Sequence, residues 1–477
     1  MIKGIMENYE DTIAAISTPP GEGGIGIVRM SGPLSLSIMK RLFMPFSVNS
    51  VEKEFNPAPR HAYFGKFMDR NGKLIDDVIC IYFEGPRTYT REDMVEIQAH
   101  GSPVSLRKIL NSVIGEGCRI ADPGEFTKLA FMNGRIDLSQ AEAVMDLISA
   151  KTDTPYGIAL KQLSGNLRAE IEGLRNELKD VLAQITVNID FPDEDIEQRE
   201  YEIIVNDLRN VKKKVDRIAI SAESGKIAKD GVRASIIGKP NVGKSSLMNG
   251  ILGEDRAIVT NIPGTTRDLI EEQVNYKGIP IILTDTAGIR ESEDEVEKIG
   301  IDRARSYIET SDILIMVIDG SLKLSEEDLS ILDMIKKVMK TNHNLKRVIV
   351  VINKIDICQV IEEQEILKLL PESQVLKTSL IKYDGANKII EEIGNLVLEG
   401  TVTSEMGNII TNERHKVALN SASEELSDAI NSLVEGESLD IAEIPVHRAY
   451  DFLGEILGET AGEEILDAVF TKFCLGK

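Results

Sequence analysis

The stretch Gly238-Lys239-Pro240-Asn241-Val242-Gly243-Lys244-Ser245 limits what this chain can fold into more than any other. It fits G-x-x-x-x-G-K-[ST], follows the apolar run VRASII and leads into a segment with helical spacing, as a phosphate-binding loop requires. In such a loop the backbone N–H groups wrap a β-phosphate. Lys244 reaches the β and γ oxygens, and Ser245 is placed to hold Mg²⁺. The motif demands a parallel sheet with crossover helices. Residues 230–395 supply the pattern: VRASII, the loop helix, IPIILTDT, a helix from about 296, DILIMVID, a helix from about 325, RVIVVIN, VLKTS and a helix from about 386.

Three further stretches specify the nucleotide. Asp285-Thr286-Ala287-Gly288 ends an apolar run, where an aspartate meets the Mg²⁺ shell and a glycine amide senses a γ-phosphate. Asn353-Lys354-Ile355-Asp356 ends the next, and the Asp356 carboxylate can take both N–H donors of a guanine edge, which adenine does not offer. Between the loop and Asp285, Pro263-Gly264-Thr265-Thr266-Arg267-Asp268 supplies a hydroxyl for the metal and a segment that a γ-phosphate can order. The expected ligand is therefore GTP with Mg²⁺, held by Asn241 to Ser246, Thr265, Thr266, Asp285 to Gly288, Asn353, Lys354 and Asp356, with Mg²⁺ on Ser245 and Thr266.

The chain is much longer than one such domain, and 477 residues predict about three domains. Residues 11–120 read as α+β: DTIAAIST, GIGIVRMSG, HAYFGKF, DDVICIYF and MVEIQAH are strand-like, while the stretches around 33–43 and 102–115 have helical spacing. From Ser139, an S-x-x-E box with Glu142 signals a helix start. A second helix is expected over 160–189, from Leu160, Leu163, Leu167, Ile171, Leu174, Leu178, Val181, Ile185 and Ile189, and a third over 199–228. A stripe that long needs a partner. The residues from Thr401 onward offer helices, and carry 15 acidic against 5 basic residues.

The expected fold class is multidomain α/β: an N-terminal α+β domain (1–122), a helical domain in two segments (123–229 and 398–477), and a P-loop GTPase domain (230–397) inserted into it. The formal net charge of -23 works against long-range attraction to nucleic acid without excluding a local basic surface. Four scattered cysteines fit a reducing compartment, and MIKGIMENYEDT has no apolar core of the kind a leader needs. A cytoplasmic protein with no membrane span is expected.

The chain resembles the MnmE (TrmE) family of tRNA-modification GTPases nearly end to end. The resemblance is carried by the four nucleotide motifs, by DTIAAISTPPGEGGIGIVRMSG at 11–32, ADPGEFTKLAFMNGRIDLSQAEAVMDLI at 121–148, DTAGIRESEDEVEKIGIDRA at 285–304, and the terminal Phe473-Cys474-Leu475-Gly476-Lys477. It implies hydrolysis assisted by K⁺ on Asn241, Thr260, Ile262 and Thr265, since Ile289 stands where Ras-like enzymes place a water-orienting glutamine. Glu297 would help position the attacking water, and Lys244 is the loop lysine. It further implies a homodimer through the N-terminal domain that binds 5-formyltetrahydrofolate or a related one-carbon folate with Arg29, Glu96, Arg135 and Lys477, and Cys474 as a participant. The implied partner is an MnmG-like protein using FAD and NADH, in a heterotetramer or larger complex. Together they would build the carboxymethylaminomethyl or aminomethyl group at C5 of a tRNA wobble uridine.

Two positions depart from the family pattern. Thr378-Ser379-Leu380-Ile381 stands where SAK is usual: the resemblance implies that Ser379 and Leu380 join Thr260 among the nucleotide-binding residues, with the Leu380 amide on guanine O6, but the lysine over the guanine edge is missing, and Arg135 often has lysine as its counterpart. Among features read from the residues alone, GEGGIG at 21–26 leads into a strand rather than the helix a dinucleotide loop needs. His100 reads as structural, and Lys212 to Lys214 read as a solvated helix face. The alternative reading is a regulatory or ribosome-assembly GTPase of the Era or EngA kind, without chemistry on RNA. Such proteins carry a basic domain after the GTPase unit, where this chain is acidic.

Overall fold

The computed structural model describes residues 11–46, 55–190, 198–253, 271–285, 311–341, 347–381, 385–400 and 410–476. The chain divides into two compact units. One comprises Met1–Met145, Gln162–Asn176 and Tyr450–Lys477, and the other Asp146–Lys161 and Glu177–Ala449.

The first unit is built on strands β1 (Ile13–Ile16), β2 (Gly23–Ser31), β3 (Phe43–Pro45), β4 (Ala62–Met68), β5 (Leu74–Phe83), β6 (Met94–Gly101) and β7 (Arg119–Ile120). They form one sheet in the order β3-β4-β5-β6-β2-β1-β7, antiparallel except for the β1–β7 pair. Period-two alternation sets its faces: Val28 and Met30 on β2, Val78, Cys80 and Tyr82 on β5, and Val95, Ile97 and Ala99 on β6 are buried. These residues form a core with Ile38 and Met39 of α1 (Ser35–Leu42) and Ile109 and Val113 of α2 (Pro103–Gly115). Arg29 and Glu96 lie between those inward residues, directly opposite each other in the β2–β6 register, and so share the other face. On that face Ile13 and Ala15 meet Phe126 and Leu129 of α3 (Glu125–Met132).

In the second unit, β8 (Val232–Ile237), β9 (Glu271–Tyr276), β10 (Ile279–Asp285), β11 (Ile313–Asp319), β12 (Arg347–Asn353) and β13 (Gln374–Lys377) form a sheet in the order β13-β12-β11-β8-β10-β9. The sheet is covered on both sides. Ile236, Val317 and Val351 face α8 (Lys244–Leu252) and the helix over Gly385–Gly400, while Ile237, Met316 and Ile352 face α9 (Glu326–Thr341) and α10 (Glu363–Leu369). With both faces covered, every residue of β11 is buried. The helix over Gly385–Gly400 is α11, followed by α12 (Glu413–Val434) and α13 (Leu439–Leu457). Helix α7 (Gln198–Asp230) lies along α12, where the Ser423 hydroxyl donates to Asp216 and the Ile410 amide donates to Ser221 Oγ at 3.3 Å. Helix α7 before the α/β unit thus packs on α12 after it.

Three expectations need correcting. The sheet is not all parallel, because β9 runs antiparallel to β10 through the turn at Lys277 and Gly278. The helix start placed at Ser139 lies at Asp137, one residue before α4 (Leu138–Ser149): Asp137 Oδ1 accepts from the Gln140 amide at 2.9 Å, and Gln140 Oε1 accepts from the Asp137 amide at 3.0 Å. This is a capping box, with Asp and Gln in the two roles. Ser139 instead donates its hydroxyl to Asp137 Oδ1 at 2.6 Å. The stripe over 160–189 is two helices, α5 (Asp153–Leu163) and α6 (Asn166–Asp190), separated by Gly165 at φ +89, a conformation that ends helices. Residues 450–476 fall within the first unit, where Leu466 and Phe470 of α14 (Glu463–Phe470) and Phe473 join Ala130, Ile136, Leu138 and Ala141 in one core.

Because Asp137 is buried and starts α4, Asp137→Ala is expected to destabilise the first unit by about 1–2 kcal/mol, while Asp137→Asn costs much less. Urea unfolding monitored by circular dichroism checks the difference.

Candidate functional site

The parallel strands of the second unit end along one edge, and the nucleotide motifs lie there. β8 ends at Ile237, and the loop that follows bends through Gly238 at φ +145, Asn241 at φ +63 and Gly243 at φ +111 before α8 begins at Lys244. The two glycines are required by space as well as by φ. A Cβ on Gly238 would lie 2.4 Å from the Val317 carbonyl oxygen, and one on Gly243 would lie 2.3 Å from the Asn353 side-chain amide. Lys244 is buried and donates from Nζ to the carbonyls of Gly238 at 2.7 Å and Lys239 at 2.8 Å. Ser245 and Ser246 are exposed in the first turn of α8, where amides lacking helical partners favour an anion.

Asn353, only 3% exposed, joins the motifs. Its amide nitrogen donates to the Val242 carbonyl at 2.7 Å, and its oxygen accepts from the Leu380 amide at 3.0 Å. The loop after β13 is thereby held against the phosphate loop, with Ser379 buried beneath it and Ile381 exposed. Lys354, at φ +65, donates to the Asn241 carbonyl at 2.8 Å and to Asp319 Oδ2 at 2.7 Å. Asp356 is exposed beyond the end of β12, and Asp285 ends β10 beside Ile236 of β8.

The predicted residues Asn241, Val242, Gly243, Lys244, Ser245, Ser246, Asp285, Asn353, Lys354, Asp356, Ser379 and Leu380 are thus gathered along one edge of the sheet. Thr260, Ile262, Thr265, Thr266, Thr286, Ala287, Gly288, Glu297 and Lys477 lie outside the described residues. Asp319 was missed by the sequence reading. Its signal was present, since it ends the apolar run DILIMVID as Asp285 and Asn353 end theirs.

The first unit gathers a second group. Glu96 Oε1 accepts from Arg29 Nη2 at 2.8 Å and Nε at 3.0 Å, with both side chains half-buried. The Arg29 guanidinium lies 5.8 Å from the ring centre of Tyr89 and 5.7 Å from that of Phe126. Arg135 stacks on Tyr89 at 4.7 Å and donates to the Tyr89 carbonyl at 3.3 Å. Tyr89, absent from the sequence reading, therefore joins the two arginines. The chain's final segment reaches the same sheet: Ser17 Oγ donates to the Gly476 carbonyl at 2.9 Å, next to Ile16 of β1, and Ala15 is the register partner of Arg29. Cys474 is exposed between buried Phe473 and Gly476. His100 lies elsewhere, exposed and bonded at 2.7 Å to Asp76, which holds the ring pKa above its usual value. Lys212 and Lys214 are paired with Asp216 and Glu177. Among the described residues no group of His, Cys, Asp and Glu is arranged to hold a metal ion by itself, and no helix is long and apolar enough to cross a membrane.

Burial opposes ionisation of Asp319, yet its bonds from Lys354 and Ser321 outweigh that and hold the carboxyl below its ordinary value. A carboxyl depressed on folding stabilises the protein above its unfolded pKa, and that stability is lost as pH falls through the folded value. The unfolding temperature of the second unit is therefore expected to drop on acidification from about pH 5 to 3, with a shallower drop in Asp319→Asn. Thermal melts across that range check the slope.

The family model described as "GTP-binding protein TrmE N-terminus" matches residues 12–135, and that described as "MnmE helical domain" matches residues 138–474. Curated relatives named tRNA modification GTPase MnmE include those of Clostridioides difficile, 45% identical over 98% of this chain and 99% of the relative, and Bacillus subtilis, 42% identical over 98% of this chain and 100% of the relative. A solved structure of the G domain of the T. maritima FeoB iron transporter is 30% identical, covers 36% of this chain and 98% of its own, and has a TM-score of 0.26, which adds nothing to the assignment. Both family models and the full-length relatives agree with the motifs gathered on the sheet edge: the chain belongs to the MnmE (TrmE) family of tRNA modification GTPases.

Proposed function

We propose that this chain is a Mg²⁺-dependent, K⁺-stimulated GTPase. With an MnmG-like flavoprotein using FAD and NADH, it would form the carboxymethylaminomethyl or aminomethyl group on the wobble uridine of certain tRNAs. The observation that carries the reading is Asn353, which ties the phosphate loop to the Leu380 loop at the end of a strand that leads to Asp356. That arrangement seats a triphosphate at one end and a guanine edge at the other. Asp356 distinguishes guanine from adenine through its two N–H donors.

The residues fit the groups they would hold. Gly238 and Gly243 leave no room for a side chain against Val317 and Asn353, so the loop keeps the left-handed turns that would aim its amides at the phosphates. Ser245 and Thr266 would hold Mg²⁺, which neutralises charge on the β and γ oxygens. Asn241 is exposed on a loop turn and offers an amide oxygen to K⁺, with Thr260, Ile262 and Thr265 completing the set. Glu297 would position the attacking water. Differential binding of the γ-phosphate to one arrangement of paired GTPase domains would then open or close them.

In the N-terminal domain, Arg29 and Arg135 would hold an anionic folate tail and Glu96 the N–H edge of a pterin, with Tyr89 as the shared ring. The Gly476 contact with Ser17 supports bringing Cys474 and Lys477 to this group. We read the protein as a cytoplasmic homodimer, with domains at 1–122, 123–229 with 398–477, and 230–397.

GTP turnover with Mg²⁺ is expected to be about tenfold or more faster in KCl than in NaCl of equal ionic strength, and Asn241→Ser should remove the preference. Equal rates in the two salts would end the K⁺ assignment and leave the GTPase assignment standing. Calorimetric titration with 5-formyltetrahydrofolate should show binding weakened about tenfold in Glu96→Gln, the loss expected for one charge-assisted hydrogen bond. Unchanged affinity would remove Glu96 from the folate site.

A further inference from the structure

We propose that Lys239 and Asp328 form a positioning pair that holds the phosphate loop in shape from outside the loop and thereby sets how long a bound guanine nucleotide stays. The inference rests on the guanine-nucleotide reading of the site. Lys239 occupies the first variable position of G-x-x-x-x-G-K-S, where the motif asks for no particular side chain. Its side chain is nevertheless turned inward, donating from Nζ to Asp328 Oδ2 at 2.7 Å and to Ser325 Oγ at 3.2 Å. The same residue's carbonyl accepts from Lys244 at 2.8 Å. An anchor on the Lys239 side chain therefore fixes a backbone oxygen that holds the phosphate-binding lysine.

The anchor is itself rigid. Asp328 is 0% exposed and sits in the first turn of α9, where its Oδ2 accepts from the Ser325 amide at 3.0 Å and hydroxyl at 2.7 Å, while the Asp328 amide donates back to Ser325 Oγ at 3.3 Å. This reciprocal box locks the start of α9, and Lys239 docks on it. Burial works against the Asp328 carboxylate, but its bonds from Lys239 and Ser325 keep it below its ordinary pKa. Among the described residues Asp328 Oδ1 has no hydrogen-bond partner, so Lys239 is the charge that balances this carboxylate. A buried ion pair adds little stability over an apolar pair of similar volume, and its best-attested use is to fix one geometry. Here the geometry it would fix is that of the loop.

Helix capping alone predicts a different outcome from loop positioning, because a cap affects unfolding and not nucleotide residence. The test uses the full-length protein, with stopped-flow dissociation of a fluorescent N-methylanthraniloyl GDP and steady-state GTP hydrolysis, each variant being assayed below its own unfolding temperature. In Lys239→Met the dissociation rate and KM should rise about tenfold while kcat changes far less, a split that marks lost ground-state binding. Lys239→Arg should return both values most of the way. Lys239→Met combined with Asp328→Asn should be no worse than the poorer single variant, as residues acting on one interaction require. Dissociation and KM unchanged in Lys239→Met, or equally impaired in Lys239→Arg, would overturn the positioning role. Failure of the unsubstituted protein to bind the labelled GDP would instead overturn the guanine reading, and the pair's proposed role with it.

Discussion

The two hydrogen bonds of the Asn353 side chain hold together the edge on which everything else in the second unit depends. Three segments meet there, Val242 lying 111 residues before Asn353 and Leu380 27 residues after it, and the side chain gives the Val242 carbonyl and the Leu380 amide their partners. The amide fits only because Gly243 has no Cβ, and the loop turns only because Gly238 and Gly243 accept positive φ. Lys354 and Lys239 extend the principle. One ties Asn241 to Asp319 and the other ties the loop to α9 through Asp328, so the backbone that must meet phosphate is fixed by side chains from strand and helix ends. Preorganisation of this kind shifts the ordering cost from binding to folding.

In the first unit the organising constraint is sheet register. Arg29 and Glu96 are 67 residues apart in the chain yet lie directly opposite on β2 and β6, on the face away from the main core. A slip of one residue would turn Arg29 into the apolar core and Val28 and Met30 out of it, so the burial of those two residues also fixes the ion pair. Tyr89 then serves both arginines, and the terminal segment is tied to the end of β1. The β strands of this unit were legible from alternation, but the meeting of Arg29, Glu96, Arg135 and Tyr89 on one face was not, because period two says which face a residue takes and nothing about which strand lies beside it.

The misreadings share a physical cause. Ser139 and Asp137 are both good N-terminal residues within two positions of each other, and the choice fell to the one whose partner at the third helical position, Gln140, could reach back. The apolar stripe through 160–189 keeps its period across Gly165, so hydrophobic spacing alone does not reveal the break that a left-handed glycine makes. β9 was missed because Glu271 to Tyr276 is a largely polar edge strand, where half-exposed side chains carry little pattern.

What the sequence determined by itself was the chemistry: the glycine loop, the lysine and serine after it, the aspartates and asparagine at strand ends, and the family to which those motifs belong. Such features are local, because phosphate and guanine recognition need particular atoms within a few residues of one another. Only the tertiary structure decided that Asn353 clasps Val242 and Leu380, that Lys239 docks on a buried Asp328, and that the segment around Gly476 lies against Ser17 in the unit of the N-terminal sheet. Those contacts join residues 27 to 459 positions apart. Their pairing follows from how burying apolar faces stacks the elements, which no local pattern encodes.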